Sequence, residues 1–124
     1  MPLSGTLTDL ELEIMKVVWE RGGAVTVRDV YETLRERRKI AYTTVMTMMN
    51  ILERKKHLKK RSGDRAFLYE PARPGRQVIR AMVRDFVGRV FDGSARPLLV
   101  HLVEDSHLSP EDLQDILRQA KEPK

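Results

Sequence analysis

Residues 40–70 decide the fold of this chain and read IAYTTVMTMMNILERKKHLKKRSGDRAFLYE. In the first half, apolar residues recur at helical spacing on one face, namely Ala41, Val45, Met48 and Leu52. The opposite face carries short polar side chains and no acid, namely Thr43, Thr47, Asn50 and Arg54. Such a face fits a groove of DNA, because Thr and Asn reach base edges or phosphates without repelling them.

A basic run follows this helix and leads into a hairpin pattern. Residues 54–61 read RKKHLKKR, and Ser62-Gly63-Asp64-Arg65 is a turn signal before the alternating segment Ala66-Phe67-Leu68-Tyr69. Alternation predicts that Phe67 and Tyr69 share one face of the returning strand, but it leaves the buried face open. A helix followed by a basic β-hairpin is typical of a winged helix-turn-helix. The predicted fold is therefore mainly α with a small β-hairpin wing.

Composition limits the other possibilities. The chain has 124 residues, which allows one or two small domains. It has no cysteine, which excludes disulfides, thiolate metal sites and cysteine redox chemistry. No apolar run approaches the roughly 18–20 residues that span a bilayer, and the N-terminus has no secretory signal pattern. We therefore expect a cytoplasmic protein with no membrane insertion, no cofactor and no metal.

Positive charge is concentrated in the middle of the chain. The net charge is +5 overall, but residues 35–65 alone hold eleven bases and three acids. Residues 1–34 and residues 92–124 each carry more acids than bases. A basic run is often only solvated surface. The helix and hairpin that flank this one favour a polyanion partner instead.

Two helix starts precede the central stretch, and each has a capping-box pattern. Thr8 with Glu11, and Thr26 with Asp29, place a threonine at the N-cap and an acid at N3. The third helix, from about Tyr42, has no good N-cap residue in front of it. Residues 24–26 are also compatible with a short strand that pairs with the later hairpin. Residues 1–72 are predicted to form the winged-helix domain.

The pattern after residue 72 predicts helices only. Prolines and a glycine at positions 71, 74 and 75 mark the boundary. Three amphipathic helices then follow within residues 73–124. This segment is too short to bury a stable core by itself. We expect them to form a dimerisation domain; the alternative is that they pack back on the first domain. The predicted dimer interface comprises Ile79, Met82, Val83, Phe86, Val90, Leu98, Leu102, Leu113, Ile116 and Leu117.

The sequence resembles the BlaI/MecI family of penicillinase and methicillin-resistance repressors over roughly residues 5–120. The resemblance is strongest in the block Ala41-Tyr42-Thr43-Thr44-Val45-Met46-Thr47. It is also visible in residues 7–19, in Thr26-Val27-Arg28-Asp29-Val30 and in Tyr69-Glu70-Pro71. Phe91-Asp92-Gly93-Ser94 continues it beyond the wing, although the C-terminal helices are less specific.

This resemblance implies a homodimeric repressor of transcription that binds palindromic operators in double-stranded DNA. It places the third helix in the major groove and the wing against the neighbouring backbone. By this resemblance Thr43, Thr44 and Thr47 lie in the major groove, and Arg61 and Arg65 lie near the backbone. Together with the polar helix face and the basic run, it predicts a DNA-binding surface made of Tyr42, Thr43, Thr44, Thr47, Asn50, Arg54, Lys60, Arg61 and Arg65.

The resemblance also implies control by an antibiotic-response pathway. Classical family members are inactivated by proteolysis at an Asn-Phe pair in the dimerisation domain, downstream of a membrane sensor metalloprotease that detects β-lactams. The corresponding position here reads His101-Leu102, so this chain departs from that pattern. Copper-responsive relatives carry a C-terminal cysteine cluster, which this chain lacks.

Other function classes fit the sequence less well. The three histidines, His57, His101 and His107, are too dispersed for a metalloprotease site, and no phosphate-binding loop is present, so we do not expect an enzyme. A winged-helix protein-interaction module would favour acids or large apolar residues on the outward face of the third helix. A non-specific architectural DNA binder would show little sequence preference.

Overall fold

The computed structural model describes residues 7–121, which form six helices and one β-hairpin within that range. In chain order the elements are α1 (Asp9–Arg21), α2 (Val27–Leu34), α3 (Tyr42–Arg54), β1 (Leu58–Ser62), β2 (Phe67–Pro71), α4 (Gly75–Val90), α5 (Ala95–Ser106) and α6 (Pro110–Lys121). The winged helix-turn-helix predicted from the sequence is confirmed. No helix of the described range is long and apolar enough to cross a membrane.

The chain divides into two compact units within α4. The N-terminal unit comprises Met1–Met82 and the C-terminal unit Val83–Lys124. The first half of α4 belongs to the N-terminal unit because Val78 is buried in its core. Gly75 begins α4 against Trp19, where an added Cβ would lie 2.6 Å from the indole ring. The functional boundary that the sequence places between residues 72 and 73 stays a prediction.

Both predicted capping boxes are present. The Thr8 N–H donates to Glu11 Oε1 over 2.8 Å, and the Glu11 N–H donates back to Thr8 Oγ1 over 3.2 Å. Thr26 and Asp29 exchange the same two hydrogen bonds at the start of α2, with distances of 3.0 and 3.1 Å. These bonds satisfy N–H groups that have no partner within the helix. Gly22, with φ of 74°, ends α1 in the left-handed conformation that glycine adopts at little cost.

Helix α3 buries a different stripe from the one predicted. Val45, Met49 and Leu52 are fully buried, whereas Met48 is half-buried and Ala41 is exposed. Met48, predicted as core together with Val45 and Leu52, packs against the core without being fully buried. The buried residues follow i, i+4 and i+7 spacing, which turns Met49 rather than Met48 toward α1 and α2. As expected, no side chain caps the start of α3 at Ala41.

The wing is an antiparallel hairpin that joins the core through Tyr69. In the register of the two strands, Lys60 pairs with Tyr69 and Ser62 with Phe67. Tyr69 is buried, whereas Phe67 is exposed, which answers the question that the alternating pattern left open. Val25 extends the sheet by one residue: its N–H donates to the Tyr69 carbonyl over 2.8 Å, and the Tyr69 N–H donates back over 2.7 Å. The expected short strand before α2 is thus a single bridge.

The C-terminal unit keeps its apolar side chains at the surface of the single chain. Among residues 83–120, no residue is buried. Two aromatic contacts link α4 to α5, with Phe86 and Phe91 centroids 5.9 Å apart and Phe91 and His101 centroids 6.0 Å apart. In α6, Ile116 and Leu117 of the predicted dimer interface are 49% and 58% exposed in the single chain.

One carboxylate is buried in the N-terminal unit. Glu11 is 2% exposed, and Lys55, just after α3, lies with its Nζ 2.9 and 3.0 Å from the two carboxylate oxygens. Burial alone would raise the pKa of Glu11, but the Thr8 N–H and the Lys55 ammonium outweigh it and hold this pKa below its ordinary value of 4.5. The same side chain therefore caps α1 and ties it to the end of α3.

Glu11→Gln should lower the free energy of unfolding by about 1–3 kcal/mol at neutral pH, because the variant loses a charged partner for Lys55. A carboxyl whose pKa is depressed by folding stabilises the protein above its unfolded pKa, and this contribution disappears as the pH falls through the folded pKa. The difference between wild type and variant should thus shrink below pH 4.5. Urea unfolding measured from pH 7 to pH 3 tests this.

The matched control is Glu13→Gln on the same helix. Glu13 pairs with Arg38 over 2.7 Å, but both side chains are well exposed, and exposed ion pairs contribute about 0–1 kcal/mol. A loss for Glu11→Gln no larger than that for Glu13→Gln, at every pH, would contradict the structural role of the buried pair.

Candidate nucleic-acid interface

The outward face of α3 is polar, open and without an acid. Thr43, Thr44 and Thr47 are exposed, and Arg54 is exposed at the last turn. Thr43 and Thr47 are four residues apart and therefore lie one above the other on the helix. Of the residues predicted on this face, only Asn50 is half-buried. The structure thus leaves a row of hydroxyl groups free to meet a ligand.

Met46 belongs to the same face. Its side chain is 39% exposed and lies one turn from both Thr43 and Asn50. The sequence did not assign Met46, because a methionine in a helix with this many apolar residues is as compatible with the core as with the surface. Its thioether gives the hydroxyl face one apolar member, the kind of group that contacts a thymine methyl in DNA readers.

Tyr42 begins α3 within a small cluster of aromatic rings and arginines. Its ring meets the ring of Tyr31 edge to face, with centroids 5.5 Å apart, and the Arg28 guanidinium lies 5.7 Å from its centroid. The Arg35 guanidinium likewise lies over an aromatic ring, 5.6 Å from the centroid of Tyr31. Arg28 was not predicted as part of this surface, because it lies on α2 and only the packing of α2 on α3 brings it to Tyr42. Arg35, the residue that follows α2, was not predicted either, and it contacts Tyr31.

The predicted wing cations do not share one face. Lys60 and Arg61 are neighbours in β1, so their side chains leave opposite sides of the hairpin. The Arg61 Nε lies 3.2 Å from a Glu70 carboxylate oxygen, in an exposed ion pair. Arg65 is exposed in the turn, beyond the end of β1. The structure therefore separates Lys60 from Arg61, which the sequence grouped together.

The turn of the wing requires a glycine. The Gly63 N–H donates to the Ala66 carbonyl over 2.9 Å, and a Cβ at Gly63 would lie 2.6 Å from that same oxygen. Any larger residue would push the two strands apart at the tip. Gly63 thus keeps the turn tight and Arg65 close to the hairpin.

Lys60 points toward α3 and meets Asn50. The Lys60 Nζ donates to Asn50 Oδ1 over 3.0 Å, and the Tyr69 hydroxyl donates to the same oxygen over 3.0 Å. The ammonium also lies 4.2 Å from the Phe67 centroid and 5.7 Å from that of Tyr69. The helix and the wing are therefore joined by side chains, and two of the predicted contact residues are partners of each other.

Nearly all of the chain matches a known family of repressors. The family model described as the penicillinase repressor matches residues 7–122. The chain belongs to the penicillinase repressor family. A family of transcriptional repressors is not a family of enzymes, and within residues 7–121 no group of three or more His, Asp or Glu residues is arranged to hold a metal ion.

Similar proteins cover most of the chain. The transcriptional regulator BlaI of Mycobacterium tuberculosis is 38% identical over 99 residues, which are 79% of this chain and 72% of that protein. The penicillinase repressor of Bacillus licheniformis is 25% identical over 118 residues, which are 95% of this chain and 91% of that protein. These matches confirm the family that the sequence resembles.

Two solved structures share the fold of the N-terminal region. The solution structure of the DNA-binding domain of the repressor BlaI has a TM-score of 0.53 and 28% identity, and it covers 60% of this chain and 90% of that one. The Bacillus licheniformis BlaI monomeric form in complex with the blaP half-operator has a TM-score of 0.52, with the same identity and coverage. In both, the shared part is a DNA-binding winged helix.

Proposed function

We propose that this DNA-binding transcriptional repressor acts as a homodimer on palindromic operators in double-stranded DNA. The observation that carries the proposal is the exposed hydroxyl face of α3 beside a basic wing. A helix with short polar groups and no acid on its outward face enters a major groove without electrostatic cost. The relative solved in complex with the blaP half-operator shares its fold with this chain.

Different side chains take different roles in this interface. Thr43, Thr44 and Thr47 face outward from α3 and are assigned to base edges, with Tyr42 and Arg54 at the two ends of the helix. Arg61 and Arg65 on the wing are assigned to phosphates, because a guanidinium contacts backbone oxygens whatever the base. The net charge of +8 on residues 35–65 attracts the duplex from a distance.

The dimer is assigned to residues 73–124. In the single chain, large apolar side chains of α4, α5 and α6 are exposed at 40–58%, namely Ile79, Val83, Phe86, Val90, Leu99, Val100, Leu102, Ile116 and Leu117. An apolar surface of this extent is typical of an interface between subunits. Two copies of the DNA-binding domain then contact two half-sites, which raises both affinity and sequence discrimination.

We assign derepression to an upstream signal, either a β-lactam or cell-envelope stress, that acts through a membrane sensor pathway. The proteolytic cut that is usual in the family does not take part. His101 and Leu102 lie inside α5, and a helical segment must unwind before a protease can bind it in extended form. The pair also lacks the side-chain amide and the aromatic ring that the cut requires in classical members. A pocket built around a polar group discriminates strongly against its loss. Release by a ligand, or by a protease of altered specificity, takes its place.

Thr47→Ala should relax the base preference at one operator position and leave non-specific binding nearly unchanged, because a lost hydroxyl removes one base contact. Arg65→Ala should weaken binding to all sequences and lower the slope of log affinity against log salt by roughly one. Selection of bound sites from random DNA, with affinities at several salt concentrations, measures both effects.

Thr33→Ala on α2 and Arg118→Ala on α6 are the matched controls. Binding with no sequence preference in the wild type would favour an architectural protein, and no DNA binding at all would favour a protein-interaction module. A wing variant that alters base preference but not the salt slope would reverse the assigned roles.

Phe86→Asp should convert the dimer to a monomer, since it places an unpaired charge in an apolar interface at a cost of several kcal/mol. Analytical ultracentrifugation at micromolar concentration measures the result. Gln77→Asp, on the same helix and exposed, is the control and should leave the dimer intact. A monomeric wild type at that concentration would rule out this interface.

Exposure of the host cell to a β-lactam should raise transcription of the target genes without producing a repressor fragment that ends near residue 101. An immunoblot of the chromosomal protein before and after exposure measures the chain length. A discrete fragment that ends near residue 101 would show that the usual cut takes place after all.

A further inference from the structure

Asn50, Lys60 and Tyr69 form a small polar cluster between α3 and the wing, which we call the clasp. Lys60 and Tyr69 are directly paired across the two strands of the hairpin, so their side chains lie on the same face. That face is turned toward α3, where Asn50 Oδ1 accepts a hydrogen bond of 3.0 Å from each of them. A single oxygen of α3 thus holds both strands of the wing.

The lysine of the clasp is bound on several sides. Its ammonium meets Asn50 Oδ1 and also lies over the rings of Phe67 and Tyr69. A cation held over aromatic rings and hydrogen-bonded to an amide oxygen is attracted by each of them. Lys60 therefore has partners within the protein, in contrast to Arg65 in the exposed turn.

The chemistry of an asparagine that reads a base conflicts with this arrangement. Bidentate recognition of adenine requires the side-chain oxygen to accept a hydrogen bond from the base while the side-chain amide donates one. In the clasp, the Asn50 oxygen already accepts two hydrogen bonds, which occupy both of its lone pairs. Reading a base in this way would require Asn50 to release the wing.

We propose that Asn50 is a positioning residue, which holds the wing at a defined angle to α3 and so sets where Arg61 and Arg65 meet the DNA backbone. This proposal rests on the proposed function of α3 and the wing as the DNA-binding surface. The backbone of the hairpin has two further anchors, the buried Leu58 at its base and the Val25–Tyr69 bridge at the level of the clasp. The clasp fixes the middle of the hairpin, beyond which the strands are exposed.

The first experiment needs no DNA. Hydrogen exchange of the backbone amides of β1, β2 and Gly63 is measured on the full chain for wild type and three variants. Asn50→Ala and Tyr69→Phe should exchange severalfold faster at these amides, because each removes part of the clasp. Asn50→Asp retains an oxygen that accepts from both partners and should preserve the protection.

Urea unfolding of the same variants separates local from global opening. Tyr69→Phe keeps the buried ring, so this variant tests the clasp even if Asn50→Ala proves unstable. Wing amides that exchange at the wild-type rate in both Tyr69→Phe and Asn50→Ala, or faster exchange spread over all helices alike, would overturn the proposal.

The second experiment separates positioning from base reading. Tyr69 is 2% exposed and its hydroxyl cannot reach DNA, so a DNA-binding defect in Tyr69→Phe must act through the protein. In selections from random DNA, both Asn50→Ala and Tyr69→Phe should keep the wild-type base preferences. Affinity should fall about three- to tenfold, the equivalent of one hydrogen bond, and the salt slope should decrease.

A relaxed preference at one base pair in Asn50→Ala, with wild-type binding in Tyr69→Phe, would identify Asn50 as a reader and overturn the proposal. Wild-type protein that binds no DNA would instead refute the proposed function, while the exchange experiment would still decide whether the clasp holds the wing.

Discussion

The position of the wing depends on the burial of one side chain, Tyr69. Its ring lies in the core, its backbone exchanges two hydrogen bonds with Val25, and its hydroxyl donates to Asn50. A tyrosine can serve all three purposes because it combines a large apolar surface with a polar tip. A two-stranded hairpin alone is marginally stable in water, so these attachments are what make the wing an ordered element. The distance between the hydroxyl face of α3 and the wing cations follows from them.

The helical part of the N-terminal unit is held by a second buried polar group. Glu11 accepts hydrogen bonds from Thr8 at the start of α1 and from Lys55 just after α3. A buried carboxylate without such partners would cost several kcal/mol. With them, Glu11 links the start of α1 to the residue that follows α3. The C-terminal half of α3 is therefore held at two points, by Glu11 through Lys55 and by the clasp at Asn50.

The C-terminal unit differs from the N-terminal unit because its described residues form no buried core of their own in the single chain. Its helices leave apolar side chains such as Phe86 and Leu117 exposed in the single chain, and none of the residues 83–120 is buried. Conformational entropy opposes the ordering of such a unit, and only apolar burial offsets that cost. A second copy of the chain supplies this burial in the function proposed above. The N-terminal unit, by contrast, has its own complete core.

Several elements follow from chemistry between residues that are close in the sequence. Thr8 with Glu11 and Thr26 with Asp29 predict helix starts because a capping box involves only neighbouring residues. The Ser62–Arg65 turn, the outward hydroxyls of α3 and the concentration of basic charge were predictable for the same reason. The family was also recognisable from residues 41–47, and the comparisons confirm it.

Which of several equally apolar faces is buried depends on contacts between elements that are far apart in the sequence. Met48 and Met49 are equally apolar, and the rotation of α3 against its neighbours selects Met49. Phe67 and Tyr69 share one face of the hairpin, but only Tyr69 lies near enough to the core to be buried. Asn50 and Lys60 are polar residues that could equally contact DNA or each other. Their hydrogen bond exists because the hairpin folds back onto α3. These choices depend on contacts between residues distant in sequence, which hydrophobic period and local propensity do not encode.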